Sequence, residues 1–297
     1  MAYILVSGRD GQLGNELKDL SSAQNFDFIF TDKEDMDITD ENVLHEAFRK
    51  YKPAFFINCA AYTAVDKAET DQEITYKINA EAVGLIAKQC HQFNTKLIHI
   101  STDYVFNGNA TQPYQPDDAT DPVNYYGYTK WLGEQLALNN NPDTIVIRTS
   151  WVYSSYGNNF VKTMLRLMKE RKEINVVNDQ FGSPTYARDL AEAIIEIVNS
   201  QWSMVNGEEP NSSHLSPLTS HIYHYSNDGI ISWYDFAVAI KEIKQLDCVV
   251  HPIPTTAYPT PAKRPAYSGL DKSKIVNDFN IQLKNWKESL IDCLDQL

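Results

Sequence analysis

Cysteine is scarce, long apolar runs are missing and basic charge is in deficit. The 297 residues hold four cysteines, Cys59, Cys90, Cys248 and Cys293, with no CxxC pair and no metal-type spacing. That excludes a disulfide framework and a zinc ribbon. Cys59 and Cys90 fall in apolar patterns and read as small buried hydrophobes. His221 and His224 stand three apart in HIYHYS, where strand-like alternation sets them on opposite faces, so no structural metal is indicated. No apolar stretch approaches the ~18 residues of a membrane span, and residues 1–8 run into a strand pattern without a signal peptide. Lys and Arg number 26 against 39 Asp and Glu, a formal charge of −13. So negative a chain repels phosphate backbones, which argues against nucleic-acid binding. An anionic ligand must then find a local basic or helix-terminal site. A cytoplasmic enzyme, with no membrane or nucleic-acid partner, is the expectation.

What is present is a globular composition, 43% hydrophobic and 22% charged, on a length ample for a sizeable core. Strand-like runs begin at Tyr3, Phe26, Ala54, Lys96 and Thr144. Helical spacing separates them, for example from Glu41 to Tyr51 and from Asp71 to Phe93. That alternation predicts an α/β fold with a Rossmann-type doubly wound parallel sheet. Residues 1–150 are expected to form this NAD(P)-binding domain, with further sheet and helix elements returning from about 174–225. Residues 151–297 are expected to form mainly a smaller α/β substrate-binding lobe. Its predicted parts are helices at about 158–171, 187–199 and from Asn285, a short strand INVV, and an extended proline-rich segment at 250–268. Residues 203–220, rich in Ser, Pro, Asn and Gly, read as a loop.

The first motif that carries chemistry is GRDGQLG, which places Gly8, Gly11 and Gly14 directly after the first strand. Glycines there let backbone amides approach a pyrophosphate, and the following helix start offers unpaired N–H groups. Its GxxGxxG spacing differs from the usual GxGxxG. Alone it is a common turn, but its place in the first βα unit strengthens it. So does Asp32, which ends the second strand where an acid would bond the adenosine ribose. A carboxylate there disfavours a 2′-phosphate, whereas the adjacent Lys33 offsets it, so NADH and NADPH both stay open.

The second motif is YYGYTK, in which Tyr126 precedes Lys130 by four residues. On a helix the two share a face, about 6 Å apart along the axis. A carbonyl reductase needs such a proton donor, and a neighbouring ammonium is expected to lower the tyrosine pKa by ~3 units, roughly 4 kcal/mol. An isolated YxxxK is commonplace. Here ISTDYVFNG lies upstream and ends a strand with Ser101, Thr102 and Asp103, at the sheet edge where open α/β folds bind ligands. A hydroxyl there can polarise a substrate carbonyl.

In this order the motifs resemble the extended short-chain dehydrogenase/reductases and, within them, the dTDP-4-dehydrorhamnose reductase family. The stretches TAVDKAE, STDYVF and RTSWVY carry the resemblance most specifically, with NAEAVGLIA, DQFGSPT, SWYDFA and KRPAYSGLDKSK in the family order. The resemblance implies reduction by NADPH or NADH of the C4 ketone of dTDP-6-deoxy-L-lyxo-4-hexulose, giving dTDP-L-rhamnose for cell-surface polysaccharide. It implies Tyr126 as general acid, Lys130 as holder of the nicotinamide ribose, and Thr102 as the superfamily's serine or threonine. Gly8, Gly11, Gln12, Leu13 and Gly14 would cradle the pyrophosphate. Asp32, Asp37 and Ile38 would lie by the adenosine, and Ala60, Ala61 and Tyr62 would line the cleft. Thr63, Val65, Tyr104, Trp151 and Asn159 would face the dTDP-sugar, together with Arg264, a basic spot for its diphosphate. Trp151 and Val65 have a plain reading as packing residues, Thr63 as a helix cap, and Arg264 as a surface charge. Some family members are homodimers bridged by Mg2+ on glutamates. Here Glu16 and Asp189 fit two of the positions, but Lys287 falls where an acid is wanted, which argues against the metal and leaves a homodimer open.

Two rival readings remain. A non-catalytic relative, like the regulatory β subunit of methionine adenosyltransferase, would keep the fold and bind cofactor without turnover. A nucleotide-sugar epimerase or dehydratase would share the sheet. A dehydratase, however, places Asp-Glu after the strand-end hydroxyl, where this chain has Asp103-Tyr104.

Overall fold

The computed structural model describes residues 2–205 and 221–297. The five apolar runs become β1 (Tyr3–Ser7), β2 (Asp27–Thr31), β3 (Phe55–Asn58), β4 (Lys96–Thr102) and β5 (Ile145–Thr149). Between them lie α1 (Gln12–Ser21), α2 (Glu41–Tyr51), α3 (Val65–Ala68), α4 (Gln72–Tyr76), α5 (Ala82–Gln92) and α6 (Tyr125–Asn140). A π-helical turn, Lys77–Glu81, joins α4 to α5. Every residue of β3 and β5 is buried, the pattern of parallel strands covered on both faces.

The second half adds β6 (Val152–Tyr153), α7 (Phe160–Glu170), β7 (Glu173–Val177), β8 (Phe181–Gly182), β9 (Thr185–Tyr186) and α8 (Ala187–Val205). It continues through β10 (Ile222–Tyr225), β11 (Ile231–Ser232), α9 (Trp233–Ile243), β12 (Val249–Ile253), α10 (Ser273–Phe279) and α11 (Trp286–Asp295). The central sheet is six-stranded and parallel, in the order β10-β5-β4-β3-β1-β2. This is a Rossmann-type α/β fold. The loop expected at 203–220 lies, beyond α8, outside the described residues.

The chain returns to the sheet later than the expected residue 174. β7 pairs with β12 in a separate two-stranded sheet and packs with α7 and α9. α8 and β10 make the return, and α10 joins them, because Ile275 and Phe279 belong to the same apolar core as Ile4 and Leu190. A short alternating run such as INVV fits either sheet equally, so its partner is a tertiary matter.

Helix starts follow side-chain caps. Asp40 accepts the Asn42 and Val43 amides at α2, and Asn124 accepts the Gly127 amide at α6. At α9, Ser232 and Asp235 form a reciprocal capping box. The Asn124 side chain also donates to the Lys263 carbonyl at 2.8 Å, tying the start of α6 to the proline-rich segment.

Behind α6 lies a fully buried ion pair. The Arg148 guanidinium on β5 donates to Glu134 at 2.9 and 2.7 Å, and Ser101 donates to the same carboxylate at 2.5 Å. Arg148 also reaches the Pro116 carbonyl at 3.1 Å and lies over the Phe106 ring. Breaking such a pair strands one buried charge, whereas replacing both partners with apolar groups can be close to neutral. We therefore expect Glu134→Leu alone to cost about 3–5 kcal/mol in urea unfolding, and Glu134→Leu with Arg148→Met to recover most of it.

Candidate active site

The first βα turn builds an anion cradle. Gly8 has φ +78, and a Cβ there would stand 2.8 Å from the Ala60 nitrogen. A Cβ on Gly14 would stand 2.2 Å from the Gly8 carbonyl oxygen. Only glycine allows both contacts. No side chain caps α1, whose N-cap is Gly11, so its first amides are free for a phosphate. Leu13 points into the apolar core, leaving only its amide for that role. The Gln12 side chain turns to the second half of the chain, donating to the Val152 carbonyl and accepting from Asn159 at 2.9 Å.

A cleft of about 350 Å³ continues from this cradle, walled by Gly8, Gly11, Asp32, Asp37, Ile38, Ala60 and Ala61 among others. The Asp32 carboxylate accepts the Asp10 and Lys33 amides at 3.1 and 2.8 Å. Asp37 accepts both the amide and the hydroxyl of Thr39, which hold its carboxyl below the usual range. The Tyr62 backbone is clamped by Asn79 of the π turn, which accepts its amide at 2.8 Å and donates to its carbonyl at 3.0 Å. Asn79 was not foreseen; its only signal is its place in the stretch NAEAVGLIA.

A second cavity, about 720 Å³, opens on the other side, lined by Tyr104, Arg264, Phe160, Arg171, Trp233 and Tyr258 among others. Thr102, Tyr126 and Lys130 line neither cavity themselves, but two of them neighbour wall residues. The Tyr126 ring meets Tyr104 edge-on at 5.8 Å, and its hydroxyl faces that of Thr102. Lys130 approaches Cys59 of the first cleft. Tyr126 and Lys130 thus neighbour one wall residue of each cavity, Tyr104 of the larger and Cys59 of the smaller.

Their electrostatics correct one expectation. Burial pushes the Tyr126 phenol up to about 12, opposed by the Thr102 hydroxyl. Burial pushes the Lys130 ammonium down to about 8, opposed by Glu134. Lys130 donates to the Ile100 carbonyl at 2.6 Å and is not what governs Tyr126. The tyrosine is thus kept protonated by desolvation rather than acidified by the lysine. A neutral phenol is the form that can donate. Asp103, whose role the sequence reading did not assign, is buried beside them, and burial raises its carboxyl to about 7. Thr102 donates to it at 3.0 Å.

The expected sugar contacts divide. Tyr104 and Arg264 wall the larger cavity, while Thr63, Val65, Trp151 and Asn159 stand outside the walls of both. Trp151, at φ +50, stacks face to face on Trp233 with centroids 3.5 Å apart, above Gly182, whose missing Cβ makes the room. Asn159 caps α7 and holds Gln12. Thr63 caps nothing, since the N-cap of α3 is Ala64. The Arg264 guanidinium is bound by Asp66 through both carboxylate oxygens, one of them at 2.8 Å, so its charge is already answered.

The Mg2+ site implied by the resemblance does not fit. The ammonium of Lys284, rather than Lys287, sits among the acids: 3.0 Å from Asp189, 3.9 Å from Glu192 and 3.7 Å from Asp292. Glu16 lines the same pocket as Lys284 and Asp292 but is buried, bonded by Ser154 at 2.5 Å with Arg188 at 3.8 Å. Among the described residues no cluster of three His, Cys, Asp or Glu is arranged to hold a metal. Nor is any described helix long and apolar enough to cross a membrane.

Residues 1–297 match the family described as RmlD substrate binding domain. The chain belongs to this family. It is 40% identical over 299 residues to the Bacillus subtilis (strain 168) spore coat polysaccharide biosynthesis protein SpsK, covering 100% of this chain and 98% of that one. It is 39% identical to the dTDP-4-dehydrorhamnose reductase of Aggregatibacter actinomycetemcomitans, covering 98% and 97%. Among solved structures, the dTDP-4-dehydrorhamnose reductase of Bacillus anthracis str. Ames in complex with NADP superposes with TM-score 0.91 at 35% identity, covering 100% of each chain. This RmlD-family chain is an oxidoreductase of the NAD(P)H-dependent kind.

Two outcomes are expected from this geometry. Asp103 has a folded pKa of about 7, above its ordinary 3.8. Its protonation therefore supports the fold fully below about pH 4, and that support is lost as pH rises through 7. Urea unfolding at pH 5 and pH 8 should show Asp103→Asn gaining stability relative to wild type at the higher pH. For Lys284, neither EDTA nor millimolar Mg2+ should shift the thermal midpoint of the wild-type protein. Lys284→Met should cost about 1–2 kcal/mol, the discounted worth of a partly exposed ammonium facing one buried acid.

Proposed function

We propose that this RmlD-family protein reduces the C4 ketone of dTDP-6-deoxy-L-lyxo-4-hexulose to dTDP-L-rhamnose, using NADPH or NADH. The observation that carries the reading is the grouping of a neutral, half-buried tyrosine, a strand-end hydroxyl and a buried lysine, which neighbours walls of both the cleft beside the anion cradle and a cavity of about 720 Å³. The names of the relatives supply the sugar.

Gly8, Gly11, Gly14 and the first amides of α1 would hold the cofactor pyrophosphate, with Asp32 and Ile38 at the adenosine and Ala60, Ala61 and Tyr62 along the cleft. NAD(P)H, when bound, supplies a hydride to C4. Tyr126 delivers the proton that the C4 oxygen needs as it becomes a hydroxyl. Thr102, beside it, would turn its hydroxyl proton from Asp103 to the same oxygen and lower the cost of its developing charge. Lys130, charged and buried, would hold the ribose next to the reacting carbonyl. Asp66 fixes Arg264 at the mouth of the sugar-nucleotide cavity, where the fork orients rather than supplies free charge. Trp151, stacked on Trp233, and Asn159, which caps α7, would act through the walls they support.

The deciding experiment follows absorbance at 340 nm with purified protein, NADPH or NADH, and enzymatically prepared ketosugar nucleotide. Tyr126→Phe should lower turnover by about 10²–10⁴ while cofactor binding persists. Cofactor binding without turnover in the wild-type protein, with an active substrate stock, would sink the assignment and favour a regulatory relative.

A further inference from the structure

Thr102 has one proton and two claimants for it. Its hydroxyl meets the Asp103 carboxyl at 3.0 Å, while the reaction asks the same proton for the C4 oxygen. A hydroxyl carries one proton and two lone pairs, and one lone pair of Thr102 already accepts the Tyr104 amide at 3.2 Å. The conflict is settled by which partner donates, since a 3.0 Å contact between oxygens serves donation in either direction. An ionised Asp103 only accepts, so it takes the Thr102 proton and points it away from the reaction. A neutral Asp103 has an O–H of its own. It donates to the remaining lone pair of Thr102 and leaves the threonine proton free to turn towards the carbonyl.

We infer that Asp103 is the positioning residue for Thr102: its proton decides whether the threonine hydroxyl serves the carbonyl or the carboxylate. The inference rests on the reading of Thr102 and Tyr126 as the pair that reduces a ketone. Three features of the site support the neutral form. Asp103 is 3% exposed, in the tight turn Asp103–Val105 that follows β4. Its second oxygen, Oδ2, is enclosed and has no hydrogen-bond partner among the described residues, which costs a carboxylate far more than a carboxylic acid. The groups that face it are neutral: the Ser268 hydroxyl, from the segment before α10, and the phenols of Tyr104 and Tyr126, both kept protonated by burial. Of the charged groups around these, Arg264 is paired with Asp66 beyond Tyr104, and Lys130 turns to the Ile100 carbonyl and Glu134. Burial accordingly raises the Asp103 carboxyl to about 7, so its two forms interchange near neutrality. Asp103 keeps its proton through the reaction. It directs a hydrogen bond, and Tyr126 supplies the proton that is transferred.

The test is the pH profile of kcat/KM for NADPH oxidation with the ketosugar nucleotide, in full-length wild type, Asp103→Asn and Thr102→Ala. In the wild type kcat/KM should fall about tenfold between pH 6 and pH 8 as Asp103 ionises. Asp103→Asn carries an amide that donates to Thr102 at every pH, so its kcat/KM should fall only about twofold, the share left to Lys130. Thr102→Ala, slower throughout, should lose the steep limb as well, because no hydroxyl remains to redirect. A wild-type profile flat over this interval, or a tenfold limb that survives in whichever variant folds, would overturn the inference and leave the reductase reading standing. Wild-type protein that binds cofactor but turns over nothing at any pH would overturn the reductase reading, and the role of Asp103 with it.

Discussion

Helix α6 carries a row of polar side chains, Tyr126, Lys130 and Glu134, one turn apart, into the interior of an α/β fold. Burying an ammonium and a carboxylate there is costly unless each finds a partner. Much of the structure behind the site meets that need. Arg148 comes from β5 to answer Glu134, Ser101 adds a hydrogen bond from β4, and the Ile100 carbonyl receives Lys130. The helix can come so close only because Gly127 and Gly133 carry no Cβ: one there would stand 2.1 Å from the Tyr104 oxygen or 2.2 Å from that of Asn79. The face of α6 that carries Tyr126 and Lys130 is also the face that packs.

That packing places the chemistry beside wall residues of two cavities of different character. On one side the walls combine Gly8, Gly11, Ala60 and Ala61 with the charged Asp32 and Lys33. On the other they come from α7, α9 and the proline-rich segment, with Arg264 held by Asp66. The lysine and tyrosine respond to the shared dry interior in opposite directions, the ammonium losing its proton more readily and the phenol less. A neutral acid and a cation that hold different protons over a wide pH range are what carbonyl reduction requires of these two groups.

Charge management elsewhere follows the same rule. A chain with a net charge of −13 places its cations where acids converge. Lys284 sits between α8 and α11, and Arg9 between two exposed aspartates, Asp10 and Asp35. The difference lies in burial: Asp189 is enclosed and also accepts from Asn227 and Ser289, so Lys284 is part of the fold. Arg9 faces water and is free to exchange partners.

Much of this was legible in the sequence. Strands buried on both faces announce themselves as unbroken apolar runs, glycines at a βα turn announce a backbone approach, and a YxxxK after a strand-end hydroxyl announces a reductase edge. These signals are local, so residue order alone carries them. Other features were not legible, because they depend on which distant segments meet. INVV pairs with β12 instead of rejoining the sheet. Trp151 is covered by Trp233, Arg264 is claimed by Asp66, and it is Lys284, three residues from the lysine that spacing suggested, that enters the acidic cluster. Nor could spacing give the protonation of Tyr126: a helical interval of four says that Lys130 is near, whereas burial and the Ile100 carbonyl decide what each group does with its proton. The sequence by itself determined the fold class and named the candidate glycine turn and the candidate Thr-Tyr-Lys group, through short-range periodicity and side-chain chemistry. Only the tertiary structure decided partners, burial and charge state, because those are set by desolvation and by contacts between segments far apart in the chain.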